Sequence, residues 1–106
     1  MISVSQLAAS VLFQTIEESR IEPGKSLRLV EQDERFELEI DEPRRTDRVV
    51  RFQGAVVLIV DKRLDEAIQD GRIDVEETAA GHDLVFRRTA KPKAIDERLV
   101  PPSQDD

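Results

Sequence analysis

The chain has no cysteine, no tryptophan and no tyrosine, and only one histidine, one methionine and four phenylalanines among its 106 residues. Each absence closes a class of function. Without thiols there is no disulfide, no cysteine nucleophile and no thiolate ligand for a transition metal. With so few rings the core must be built from Val, Leu, Ile and Ala, and nucleic-acid bases find no aromatic surface on which to stack. Long apolar runs are missing too. The longest, residues 55–60, is far short of the roughly twenty residues that a membrane-spanning helix needs. There is no glycine-rich phosphate loop, no nucleophile elbow and no zinc-spaced pair of ligands.

What the chain does have is charge. Sixteen basic residues stand against 23 acidic ones, a net −7, which argues against a nucleic-acid partner because affinity for phosphates comes mainly from Lys and Arg. The opening Met1-Ile2-Ser3-Val4 has neither the basic start nor the apolar core of a secretory leader, so a cytoplasmic location is expected. The charge is unevenly placed. Residues 31–42 hold seven acids and one Arg, and residues 43–52 hold Arg44, Arg45, Arg48 and Arg51 against Asp47 alone. Adjacent blocks of opposite sign are expected to pair across a hairpin, the arginines facing the carboxylates of the neighbouring strand, or to sit on neighbouring solvated faces.

At this length the chain is one domain. Leu7, Ala8, Val11, Leu12 and Ile16 fall at helical spacing, with Gln6, Gln14, Glu17 and Glu18 facing out. Two serines compete to cap this helix. Ser3 would form a capping box with Gln6 and a staple of Ile2 on Leu7, whereas Ser5 leaves residues 2–4 free to be extended. Pro23-Gly24 closes the segment. The period then changes to two: Leu27 and Leu29 flank Arg28, and Phe36, Leu38 and Ile40 alternate with Glu37, Glu39 and Asp41. Residues 48–53 form a third strand with Gln53-Gly54 as its hairpin turn. Residues 55–60 lack alternation, as in a strand covered on both faces. Asp61 caps a short helix with Leu64, Ala67 and Ile68 on its apolar side and Gly71 just past its end. Ile73 and Val75 mark a strand, residues 79–83 a turn, and residues 84–87 the last strand. Residues 91–106 are charged and broken by proline, so residues 1–90 are expected to form the domain and residues 91–106 a flexible charged tail, with Leu99-Val100 a docking motif only in the less favoured case. The fold class is α+β, mainly β.

In this order the segments resemble the A-type iron–sulfur carrier proteins, the HesB/IscA-like family. Ile2-Ser3-Val4-Ser5-Gln6-Leu7-Ala8 is similar to that family's short strand, helix cap and first helical turn. Pro23-Gly24 followed by Leu27-Arg28-Leu29 resembles its entry into the first long strand. Gly54-Ala55-Val56-Val57-Leu58-Ile59-Val60-Asp61 and Gly71-Arg72-Ile73-Asp74-Val75 resemble its glycine-led strand ending in Asp and its later Ile-Asp segment. The likeness covers about residues 2–86 and implies a HesB-like β-sandwich of short strands with an N-terminal helix and one short helix between strands. It also implies self-association, since such proteins pair as dimers or tetramers. The family's functional residues do not carry over. Where a Gly-Cys loop is expected, residues 30–36 read Val-Glu-Gln-Asp-Glu-Arg-Phe, and after the last strand Phe86-Arg87-Arg88-Thr89-Ala90 is followed by no cysteine pair. The chain is thus identified as a cysteine-less divergent member, which implies a scaffold kept without its cluster chemistry.

Little else in the sequence points to chemistry. His82 with Asp83 at its side is the only imidazole, and no nucleophile or second base is spaced to work with it, so no catalytic residue is assigned. Glu31, Asp33 and Glu34 lie where the family's first cysteine loop would be, and Glu76 and Glu77 accompany His82 and Asp83 toward the other end of the sheet. Oxygen donors of this kind suit hard cations, which makes Glu31, Asp33, Glu34, His82 and Asp83 the alternative metal ligands, although a calcium-loop pattern is missing. Asp61 and Asp74 have plain structural roles, one capping a helix and the other facing out of a strand. The expected function is a non-catalytic accessory or protein-binding domain without a cofactor. Its partner would be another protein or itself, as a homodimer, through a sheet edge or the first helix, and neither nucleic acid nor membrane. The alternative is a carboxylate-based divalent metal binder.

Overall fold

The computed structural model describes residues 2–33, 35–68, 70–79, 81–90 and 93–99, without the side chains of 88–90 and 93–98. The elements run β1 (Ser3–Val4), α1 (Gln6–Glu18), β2 (Ser26–Gln32), β3 (Arg35–Asp41), β4 (Arg48–Phe52), β5 (Ala55–Val60), α2 (Lys62–Ala67), β6 (Gly71–Thr78), β7 (Gly81–Ala90) and β8 (Lys93–Arg98). They make two four-stranded sheets, ordered β1-β6-β7-β8 and β3-β2-β5-β4. The expected α+β, mainly β architecture is the one observed. Among the described residues no helix is long and apolar enough to cross a membrane.

One apolar cluster joins the two sheets and α1. It takes Ala8 and Leu12 from the helix, Leu27, Leu29, Leu38 and Leu58 from one sheet, and Ile73, Leu84 and Phe86 from the other. Phe36 and Phe86 meet across it with ring centroids 4.3 Å apart, a tilted contact of the kind aromatic quadrupoles favour.

The competition for the helix cap is settled by a strand far away in sequence. Ser3–Val4 pairs in parallel with Arg72 and Ile73 of β6, and the Ser5 amide donates to the Ile73 carbonyl at 3.0 Å. Residues 3 and 4 are therefore extended, and Ser5 caps α1, its Oγ accepting from the Ala8 amide at 3.0 Å. The helix stops at Glu18, well before Pro23-Gly24. Arg20 turns into the left-handed region (φ 52°), and its amide donates to Glu17 while that of Ile21 donates to Ile16. This pairing is a Schellman motif with Arg in the position glycine usually takes. Gln53 (φ 52°) and Gly54 (φ 84°) form the expected β4–β5 turn, both left-handed as a type I′ turn demands.

Three expectations need correction. The acidic and basic blocks do not face each other across a hairpin, because β3 and β4 lie at opposite edges of their sheet with β2 and β5 between them. The second turn is tighter than expected: β6 and β7 pair as far as Thr78 and Gly81, so His82 and Asp83 lie in a strand. The chain past residue 90 is not simply a tail. Lys93–Arg98 pairs along β7, and Leu99 is 1% exposed, its amide donating to the Leu84 carbonyl at 2.8 Å. An edge strand is held by main-chain bonds on one side and tolerates charged side chains, which conceals β8 in so polar a sequence. The rest of the expected tail, residues 91, 92 and 100–106, lies outside the described residues.

The chain between β3 and β4 spans three strand spacings, about 14 Å, within reach of six residues extended. It starts from Asp41, level with Ser26 near the beginning of β2, and arrives at Arg48, level with Val60 at the end of β5. It therefore runs obliquely over the face of the sheet opposite Leu27 and Leu29. Arg28 and Ile59 sit side by side on that covered face, 5% and 0% exposed.

Candidate functional site

The carboxylates suggested as metal ligands are not brought together. Glu31 and Asp33 are exposed at the end of the β2–β3 hairpin, and His82 and Asp83 lie in the β6–β7 hairpin of the other sheet. Glu34 lies outside the described residues. His82 Nε2 is 3.5 Å from Glu77 Oε1, with both side chains largely in solvent. Among the described residues no three of His, Asp and Glu gather as ligands would. β2 and β3 are also paired as far as Gln32 and Arg35.

What the fold does assemble is a set of ion networks that sequence reasoning passed over. The largest centres on Arg28. Its Nε donates to Asp41 Oδ2 at 2.8 Å, its Nη1 and Nη2 grip the two oxygens of Asp47 at 3.2 and 2.6 Å, and Nη2 also donates to the Glu42 carbonyl at 3.0 Å. The Asp47 side chain is 1% exposed and accepts from the Arg44 amide at 2.7 Å. The Arg28 guanidinium holds the Asp47 carboxyl below the usual range against the opposing effect of burial. Asp41 is also lowered, first by the Glu42 amide and then by Arg28, and Arg28 itself is raised, chiefly by Asp47. This bidentate clamp nails the β3–β4 crossing to the sheet.

A second network holds the start of the chain. Asp65 of α2 accepts from the Ile2 amide at 2.8 Å and from Arg48 Nε and Nη2 at 3.0 and 3.1 Å, while Arg48 Nη2 also donates to the Ile2 carbonyl. Burial pushes the Asp65 carboxyl up, but the Ile2 amide and Arg48 together bring it below its ordinary value. The third network surrounds Asp74, which the sequence placed facing out of a strand. It accepts from the Val75 amide and Ser5 Oγ, both at 2.9 Å, and from Arg87 Nη1 at 3.0 Å. Its carboxyl is lowered by the Val75 amide first and Ser5 second. Asp74 thereby fixes the hydroxyl that caps α1. Asp61 does cap α2, accepting from the Arg63 amide at 2.8 Å.

Two open grooves flank these networks. One of about 570 Å³ includes Arg28, Glu39, Asp41, Arg44 and Arg63 in its lining, and another of about 450 Å³ includes Asp47, Arg48, Lys62, Asp65 and Glu66. Both are lined by charges of both signs. Arg28, Asp41, Asp47, Arg48 and Asp65 are already bound to one another, so they hold structure rather than offer an acid, base or nucleophile. Among the described residues every buried side-chain nitrogen and oxygen has a partner. Sequence signals for these networks are slight: an Arg between two core leucines, and acids at both ends of a short link.

No protein-family model and no curated protein matches the chain. Solved structures do. The crystal structure of Escherichia coli SufA, involved in biosynthesis of iron–sulfur clusters, superposes with a TM-score of 0.60 over 82% of this chain and 84% of its own, at 20% identity. That of IscA with a [2Fe-2S] cluster gives 0.54 over 86% and 88%, at 17% identity. The class is therefore defined at the level of fold: this is the architecture of SufA and IscA, carried by a chain with no cysteine.

Proposed function

We propose that this domain is a non-catalytic accessory or protein-binding module on an A-type scaffold, and that it carries no iron–sulfur cluster of its own. The observation behind this is the complete lack of cysteine. Clusters are gripped by thiolates, with imidazole replacing part of the set in some centres, and a single histidine cannot furnish that shell. The pairing of β2 and β3 as far as Gln32 and Arg35 and the mutually bound charges along the grooves support the same reading. What remains for such a scaffold is its outer surface, offered to another protein.

Anaerobic incubation with ferrous iron and sulfide, followed by desalting and a visible spectrum, tests the proposal. The protein is expected to emerge colourless and free of iron. A stable brown species with stoichiometric iron and sulfide overturns it.

A further inference from the structure

Each sheet has two edges, and among the described residues three of these four edge strands are poor templates for a further strand. β1 has two residues, and β4 has a register shift between Val50 and Arg51. β8 mixes both signs of charge in Lys93, Asp96, Glu97 and Arg98. Short strands and bulges are devices by which edges are kept from pairing. β3 has neither. All seven of its residues pair with β2 in unbroken register, and none is proline or glycine. Among the described residues no strand lies beyond it, so alternate main-chain N–H and C=O groups face away from β2.

The guard that β3 does carry is charge of one sign at its centre. Glu37 and Glu39 are exposed, and the residue between them, Leu38, is buried. The two glutamates stand level with Val30 and Arg28 of β2, and Arg28 is already taken by Asp41 and Asp47. Among the described residues neither glutamate has an ion-pair partner. Two copies of β3 set antiparallel about Leu38 would place Glu37 of each against Glu39 of the other, so this edge repels its own kind. An extended segment with Lys or Arg at alternate positions answers both charges. The apolar residue between its two cations then lies beside Leu38, at the rim of the core. The net −7 of the chain favours the approach of such a segment.

We infer that the outer edge of β3, centred on Leu38, is a docking site for an extended basic segment of another protein, which adds to the sheet as a further strand. The segment reads basic, apolar, basic, its cations facing Glu37 and Glu39. The inference rests on the protein-binding reading above and gives it a surface and a partner chemistry. In this mode main-chain hydrogen bonds supply affinity and alternate side chains supply selectivity. So short a contact is weak, with a dissociation constant of about 10⁻⁴ M for a peptide.

The probe is the blocked peptide acetyl-Lys-Val-Lys-Val-Lys-amide, titrated to about 1 mM into the isotope-labelled full chain and followed by amide NMR shifts. The shifts are expected to centre on residues 37–40. The same peptide N-methylated at every residue keeps its charge but loses its donors, and is expected not to bind. Glu37→Lys with Glu39→Lys weakens binding of the basic peptide by about tenfold or more. That double variant gains affinity for acetyl-Glu-Val-Glu-Val-Glu-amide, a gain that a misfolded chain would not show. Shifts centred elsewhere, undiminished binding of the methylated peptide, or a double variant that keeps the original preference overturns the β3 site. Absence of binding at about 1 mM also overturns it, whereas the lack of a cluster is decided separately by the reconstitution spectrum.

Discussion

Replacing Arg28 with methionine tests the claim that an ion clamp, and not apolar packing, holds the β3–β4 crossing in place. Methionine keeps much of the length of the side chain and removes the charge. The loss is all four hydrogen bonds of the guanidinium, to Asp41, both oxygens of Asp47 and the Glu42 carbonyl. Asp47 keeps only the Arg44 amide while its side chain remains 1% exposed. Removing one partner of a buried pair costs about 3–5 kcal/mol, because the other charge is left without compensation. A domain of this size is stable by about 5–15 kcal/mol in all, so the melting temperature should fall by more than about 10 °C.

The pH dependence carries a sign. In the wild type Asp47 is held below its unfolded value, so its contribution is complete above about pH 4 and is lost as pH falls through the folded value. Without Arg28 the largest lowering influence is gone, and burial is opposed only by the Arg44 amide and charge. The carboxyl shifts upward from its wild-type value, so protonation relieves the variant. Urea unfolding at pH 7 and near pH 3 should therefore show the gap between wild type and Arg28→Met narrowing on acidification. A loss under about 1 kcal/mol at pH 7, or an equal deficit at both pH values, refutes the reasoning.

Asp65→Ala should cost about 2–4 kcal/mol, since it strips the Ile2 amide and the Arg48 guanidinium of their shared acceptor. Hydrogen exchange should show the amides of residues 2–4 losing protection well beyond the global change. Gly71→Ala places a Cβ 2.6 Å from Ile68 Cγ2 and 2.8 Å from Phe86 Cζ, an overpacking worth about 1–3 kcal/mol in denaturant. Arg20→Gly should raise stability by up to about 1 kcal/mol, because φ is 52° at that helix end; a lowered melting temperature would count against the Schellman assignment.

The strands were legible wherever one face is buried. Phe36 and Leu38 are buried while Glu37 and Glu39 are exposed, and that contrast is the alternation in the sequence. The β4–β5 turn was legible because Gly54 supplies the left-handed geometry locally. What was hidden depends on partners distant along the chain. Ser3 and Ser5 are equal as caps until β6 pairs with residues 3 and 4. The two charge blocks look like a hairpin until the sheet order separates β3 from β4. Arg28, Asp47 and Asp65 look like surface residues because charged side chains are seldom buried, and only the crossing chain and the docked first strand enclose them. The likeness to SufA and IscA was legible in the order of the motifs, and the missing cysteines were legible at a glance.

The pairing of β1 with β6 also dictates an order of events. Ile2 finds its acceptor 63 positions downstream at Asp65, and the Ser5 hydroxyl finds Asp74 after 69. The residues of β1 and the helix cap leave the ribosome before their partners and must wait, unsecured, until 63 to 69 further residues have followed them. Contacts of such wide separation slow folding, and they make assembly of this domain a late, single closure rather than a growth from the N-terminal end. A nascent chain halted before β6 has emerged would hold its first helix without the carboxylate that fixes its cap.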